Sequence, residues 1–80
     1  MIDSVAGGRV EIVISEIYGP FLRICDCADV ARLEGLISRR YYIPFWTEKK
    51  TRAGDVDIVE YYFGRAADPR KLQEILDSVD

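Results

Sequence analysis

Two cysteines stand at a spacing that could support chemistry. Cys25 and Cys27 form a C-x-C pair, and thiolates bind soft metals such as Zn²⁺ and Cu(I) or take part in redox reactions. The chain contains no histidine and no second cysteine pair that would complete a tetrahedral site. The same pair is more typical of two small buried residues at the end of a strand. We therefore expect a structural role, and a thiol or metal site at Cys25 and Cys27 is the alternative.

A pair of glutamates is the nearest approach to an acid/base site. A hairpin would set Glu48 opposite Glu60, but such cross-strand carboxylates are more often exposed than catalytic. Without histidine no imidazole base is available. The Gly7-Gly8 pair stands alone, so no glycine-rich loop cradles phosphate. We predict that the protein is not an enzyme and uses no cofactor.

Several cations lie close together in the middle of the chain. They are Arg39, Arg40, Lys49, Lys50 and Arg52. Together with the aromatic residues nearby they would suit a nucleic-acid-binding module, in which cations contact phosphates and rings stack on bases. The net charge of −3, and the aspartates Asp55 and Asp57 across the hairpin, argue against this function. Nucleic-acid binding is kept as an alternative.

Aromatic residues are the most concentrated feature of the sequence. Seven of the nine lie between Tyr41 and Phe63, mostly as consecutive residues. Neighbours on a strand point to opposite faces, so one buried face cannot accommodate them all. The residues that we expect to contribute to an interface are Phe45, Trp46, Tyr61 and Tyr62. A second copy of the chain is the simplest partner for such a surface.

The elements that would position these residues follow from hydrophobic periodicity. Strands are predicted at residues 9–18, 21–25, 44–50 and 55–63. Two amphipathic helices follow the second and fourth strands, with N-caps at Asp29 (or Asp26) and at Asp68, which Pro69 follows. The fourth strand has two apolar faces, which indicates either a central strand or a bulge near Ile58.

A weak internal repeat relates the two halves of the chain at an offset of 39 residues. Ala28-Asp29 matches Ala67-Asp68, and Leu36-Ile37 matches Ile75-Leu76. The pattern indicates two ββα units in tandem. We predict an α+β fold in ββαββα order, in which a four-stranded antiparallel sheet carries both helices on one face.

Length and composition favour one small domain. Residues 1–8 are interpreted as a flexible leader and residues 9–80 as the domain. No apolar run reaches the roughly 18 residues of a membrane span, so we expect no membrane association. No export signal is apparent, and two cysteines are compatible with reduced thiols, so we expect a cytoplasmic location. The function expected is that of a small non-enzymatic protein-interaction or regulatory domain, self-associating through the open sheet face or an edge strand.

Overall fold

A single antiparallel sheet organises the protein. The computed structural model describes residues 1–2, 7–25, 28–51 and 57–78. The strands are β1 (Val13–Ser15), β2 (Gly19–Cys25), β3 (Trp46–Thr51) and β4 (Asp57–Tyr62), in the spatial order β1-β2-β4-β3. The helices are α1 (Ala28–Glu34), which continues as a π-helical segment (Gly35–Arg40), and α2 (Pro69–Asp77). This confirms the α+β class and the ββαββα order.

The core lies between the sheet and the helices. In the β2–β4 pair Leu22 lies opposite Tyr61 and Ile24 opposite Val59, so these side chains share one face. The helical residues in the same buried cluster are Leu33, Ile37, Leu72 and Leu76. Both helices therefore cover the same face of the sheet, as the apolar stripes predict. None of the described helices is long and apolar enough to cross a membrane.

The register of the central strands has the symmetry that the internal repeat predicts. Leu22 and Tyr61 are separated by 39 residues and lie directly opposite each other. A two-fold axis through this pair would exchange the Phe21–Tyr62 pair with the Glu60–Arg23 pair, and both pairs are present. The two ββα units are therefore related by a local pseudo-two-fold axis.

The fourth strand is central and continuous. Residues 58–62 pair with β2 and residues 57–62 pair with β3 without interruption. The bulge near Ile58 is therefore not present. The two apolar faces of β4 arise because one face meets the helices and the other carries a second set of rings.

The first strand is shorter than its alternating pattern predicts. The backbone amide of Ile12 donates to Gln73 Oε1 over 2.8 Å, and Gln73 Nε2 donates to the carbonyl of Val10 over 3.1 Å. The segment before β1 is thus bonded to a side chain of α2 and does not extend the ladder with β2. Only three residues, Val13–Ser15, remain in the strand.

The first helix differs from prediction at both ends. It begins at Ala28, so Asp29 is its second residue and not its N-cap. Asp29 is buried and lies 3.6 Å from Arg32, still near the positive end of the helix. Asp26 lies outside the described residues. Towards the other end the backbone changes to π-type hydrogen bonds, and the amide of Tyr41 donates to the carbonyl of Leu36.

The predicted leader includes a core residue. Met1 is buried in the main cluster, and its amino group donates to the carbonyl of Leu76. Its carbonyl accepts from the amide of Val10 over 2.9 Å, and Ile2 forms a bridge with Arg9. Gly7 and Gly8 are exposed, and residues 3–6 lie outside the described part of the chain.

Candidate interaction face

The face of the sheet opposite the helices is the candidate functional surface, and we call it the open face. The strand register assigns to it the side chains of Val13, Phe21, Arg23, Cys25, Trp46, Glu48, Lys50, Ile58, Glu60 and Tyr62. Both helices lie on the other side, and within the described residues no second layer covers the open face. Rings and charges are arranged on it in separate rows.

An apolar row crosses the whole sheet. Each strand contributes one residue, and successive residues are direct register partners in the order Val13, Phe21, Tyr62 and Trp46. The ring of Tyr62 is stacked on Phe21 at 5.2 Å between centroids and on Trp46 at 5.3 Å. Tyr18, from the turn after β1, meets Tyr62 edge-on at 5.5 Å.

Stacking divides this row into covered and exposed rings. Tyr62 has a ring on either side and is only 6% exposed. Trp46 is 45% exposed, and Tyr18 and Val13 are exposed to a similar extent. Because Tyr62 is flanked by roughly parallel rings along the row, the rings stand on edge and neither face of Tyr62 is open to a further ring.

A polar row lies beside the apolar row and centres on Glu60. Glu60 is 4% exposed, and its two oxygens are held by different partners. Arg23 Nε donates to Oε2 over 2.6 Å, and the hydroxyl of Tyr62 donates to Oε1 over 2.8 Å. Lys50 Nζ lies 3.7 Å from Oε1. The carboxylate is thus compensated on both oxygens, as a buried charge requires.

The titration behaviour of the pair follows from this geometry. Burial raises the pKa of Glu60, but the hydrogen bonds from Arg23 and Tyr62 and the charges of Lys50 and Arg23 outweigh it, so the pKa lies below its ordinary value. Burial, followed by the hydrogen bond to Glu60, raises the pKa of Tyr62 to about 12. Both groups are therefore held in their ordinary neutral-pH forms.

The glutamate pair does not form an acid/base dyad. Glu48 and Glu60 are direct partners across β3 and β4, as the hairpin predicts. Glu60, however, is bound by two hydrogen bonds and an ammonium group, while Glu48 is exposed. A carboxylate stabilised as an anion is a poor proton donor near neutral pH. The arrangement therefore assigns Glu60 a structural role.

The structure separates the four residues predicted to form the interface. Trp46 and Tyr62 lie on the open face, whereas Phe45 and Tyr61 lie on the helix side. Tyr61 is fully buried, stacks near Phe45 at 5.3 Å and donates its hydroxyl to Glu34 over 2.7 Å. It has no exposed surface to contribute.

Two members of the apolar row were not expected from the aromatic concentration. Phe21 and Tyr18 precede the Tyr41–Phe63 stretch, and Phe21 is the ring on which Tyr62 stacks. The alternation of β2 carries the relevant signal, because Phe21 shares parity with the outward Arg23 and not with the core residue Leu22.

The predicted cations do not form one patch within the described residues. Lys49 and Lys50 are neighbours on β3 and point to opposite faces of the sheet. Arg39 and Arg40 lie at the end of the π-helical segment, where Arg40 lies over the ring of Tyr41. Arg52 lies outside the described residues. Lys50 reaches the open face, where Glu60 compensates its charge.

The cysteine pair is only half visible in the structure. Cys25 is half-buried at the end of β2 on the open face, and Cys27 lies outside the described residues. No cluster of three or more potential metal-ligating side chains occurs within residues 1–2, 7–25, 28–51 and 57–78.

Comparison of the chain with protein-family models, with curated proteins and with solved structures finds no match. The geometry of the open face is therefore the basis for a functional proposal.

Proposed function

We propose that this chain is a small non-enzymatic protein-interaction domain that self-associates through the open face of its sheet. The observation that carries the proposal is the apolar row, which spans all four strands on the side that the helices do not cover. Its exposed members, Trp46, Tyr18 and Val13, form a contiguous apolar surface over the buried Tyr62. Contiguous exposed apolar surface of this kind is typical of an interaction site.

The edges of the sheet are less suited to association than its face. The β3 edge carries Glu48, Lys49 and Lys50, and charged side chains of this kind oppose strand addition. The β1 edge is only three residues long, and Gln73 occupies the amide of Ile12 just before it. A very short edge next to a blocked amide gives an added strand few hydrogen bonds.

A second copy of the chain fits the face in size and shape. Four strands of about six residues give a face of roughly 20 Å by 20 Å, or about 400 Å². Sheets pack on sheets at about 10 Å with nearly aligned strands, so an identical face is a matched partner. The area is below the roughly 800 Å² per partner of a standard interface, so we expect a weak dimer with a dissociation constant in the micromolar range.

The geometry of the rings favours a protein partner over nucleic acid. Bases bind single-strand-binding proteins by stacking on exposed ring faces. Tyr62 already has a ring on both sides, and the nearest cation on β3, Lys50, is paired with Glu60. The net charge of −3 also disfavours phosphate binding.

Sedimentation equilibrium with a matched pair of variants tests the proposal. Trp46→Ser removes the most exposed ring of the apolar row, whereas Tyr42→Ser removes a ring that is 82% exposed in the loop before β3. We expect the wild type and Tyr42→Ser to associate in the micromolar range and Trp46→Ser to weaken association by at least about tenfold, as truncation of an interface tryptophan does. A wild type that is monomeric at all concentrations would contradict the proposal, and binding of single-stranded oligonucleotides at low salt would support the alternative.

A further inference from the structure

We infer that the two copies are related by a two-fold axis parallel to the strands, so that β1 of one copy lies over β3 of the other. This inference rests on the proposed self-association through the open face. Aligned sheet packing leaves two choices for the axis, one along the strands and one across them. The distribution of charge and bulk on the open face distinguishes the two.

Three rows of side chains define the pattern. The apolar row ends at Trp46, the polar row contains Arg23, Glu60 and Glu48, and the third row contains Cys25, Ile58 and Lys50. The polar row is the middle one. Any axis that lets two faces overlap fully must therefore pass over it or along the boundary between β2 and β4.

An axis across the strands sets like charges together. It would run over the polar row, so that Glu48 faces the partner's Glu48 and Arg23 faces the partner's Arg23. The same arrangement places Lys50 over the partner's Trp46 and buries its ammonium group. Like charges brought together at an interface cost free energy and act against that arrangement.

An axis along the strands sets opposite charges together. Arg23 on β2 then faces the partner's Glu60 on β4, and the Arg23 side chain is 58% exposed and available for this contact. At the sheet edges the small Val13 faces the partner's Trp46, so that a large side chain meets a small one. Lys50 stays at the rim of the interface, where its charge remains in water. Size and charge are both complementary in this arrangement.

Site-directed cross-linking with a short bis-maleimide tests the orientation. Both native thiols are removed by Cys25→Ser and Cys27→Ser, and Val13→Cys and Glu48→Cys are then introduced in separate chains, one of them isotope-labelled. With an axis along the strands, the two introduced thiols lie about 12 Å apart between copies, while the thiols of two identical variants lie about 17 Å apart. With an axis across the strands, two Glu48→Cys thiols would lie about 10 Å apart.

We expect a cross-linked heterodimer in the mixture and little product from either variant alone, under conditions in which sedimentation shows association. Efficient cross-linking of Glu48→Cys with itself would overturn the orientation and leave self-association through the face intact. Association without cross-linking in any sample would place the contact elsewhere and overturn the inference. A monomeric wild type would overturn the proposed function and this inference with it, and sedimentation alone reports that outcome.

Discussion

Tyr62 donates its hydroxyl to Glu60 Oε1 over 2.8 Å, from the same strand and the same face of the sheet. This bond joins the apolar row to the polar row, because the ring of Tyr62 stacks between Phe21 and Trp46 while its hydroxyl reaches the buried carboxylate. The position of the exposed Trp46 therefore depends on a polar contact beneath the surface.

Removal of the Tyr62 hydroxyl should destabilise the fold. Tyr62→Phe keeps the stacked ring and leaves Glu60 Oε1 without its neutral donor, so we expect the free energy of unfolding to fall by about 1–2 kcal/mol. Urea denaturation measures this change. Tyr42→Phe is the control, since its ring is 82% exposed and should change stability by less than about 0.5 kcal/mol. Equal stability of the two variants would show that the Glu60 contact is not stabilising.

Acidification should weaken the fold through Glu60. Its pKa in the folded protein is lowered from an ordinary value of 4.5, so its contribution is fully present above that pH and is lost as the pH falls through the lower, folded-state value. Asp77, whose pKa the hydrogen bond from Arg9 also lowers, adds to the same trend. The measurement is therefore the difference between wild type and Glu60→Gln from about pH 5 to about pH 3. The variant should lose less stability over this range, and parallel curves would contradict the prediction.

Gly19 should tolerate no side chain. Its φ of 80° is left-handed, and an added Cβ would lie 2.7 Å from the Cα of Arg65. We expect Gly19→Ala to lower the free energy of unfolding by at least about 2 kcal/mol, since backbone strain and a backbone clash combine. Gly35→Ala is the matched comparison, because its Cβ would meet nothing within 4 Å, and it should stabilise the protein by about 0.5–1 kcal/mol. A neutral Gly19→Ala in thermal denaturation would contradict the turn geometry.

Gln73 should determine where β1 begins. Its side chain bonds the amide of Ile12 and the carbonyl of Val10, so Gln73→Ala leaves both backbone groups without these partners. We expect a loss of about 1–2 kcal/mol in stability and faster hydrogen exchange at the Ile12 amide. Glu74→Ala changes an exposed neighbour on the same helix and serves as the control. Unchanged exchange at Ile12 in Gln73→Ala would refute this role.

The arrangement of the elements could be predicted because it depends on local periodicity. Strand alternation and helical stripes survive in the sequence, and the offset of 39 residues places Leu22 opposite Tyr61 at the centre of the sheet. The beginning of β1 could not be predicted, because it is set by Gln73, a residue 61 positions away from Ile12. The burial of Met1 and the change to π-type hydrogen bonds at Gly35 likewise leave no pattern in the local sequence.

The candidate site could be predicted in kind and not in detail. Consecutive aromatic residues require that some rings lie away from the helices, and Trp46 and Tyr62 do so. Which member of each consecutive pair faces outward depends on strand register, and a shift of one residue exchanges the faces. Here the pairing places Phe45 and Tyr61 against the helices, and it brings Phe21 and Tyr18 to the open face.

The most direct test of self-association through the open face uses Trp46, the sole tryptophan of the chain. Its side chain is 45% exposed in a single copy and would be covered in the proposed dimer. Acrylamide quenching of its fluorescence should therefore decrease as the protein concentration rises from about 1 μM to about 500 μM, the range expected for an interface of this size. A quenching constant that stays the same over the whole range would contradict association through this face.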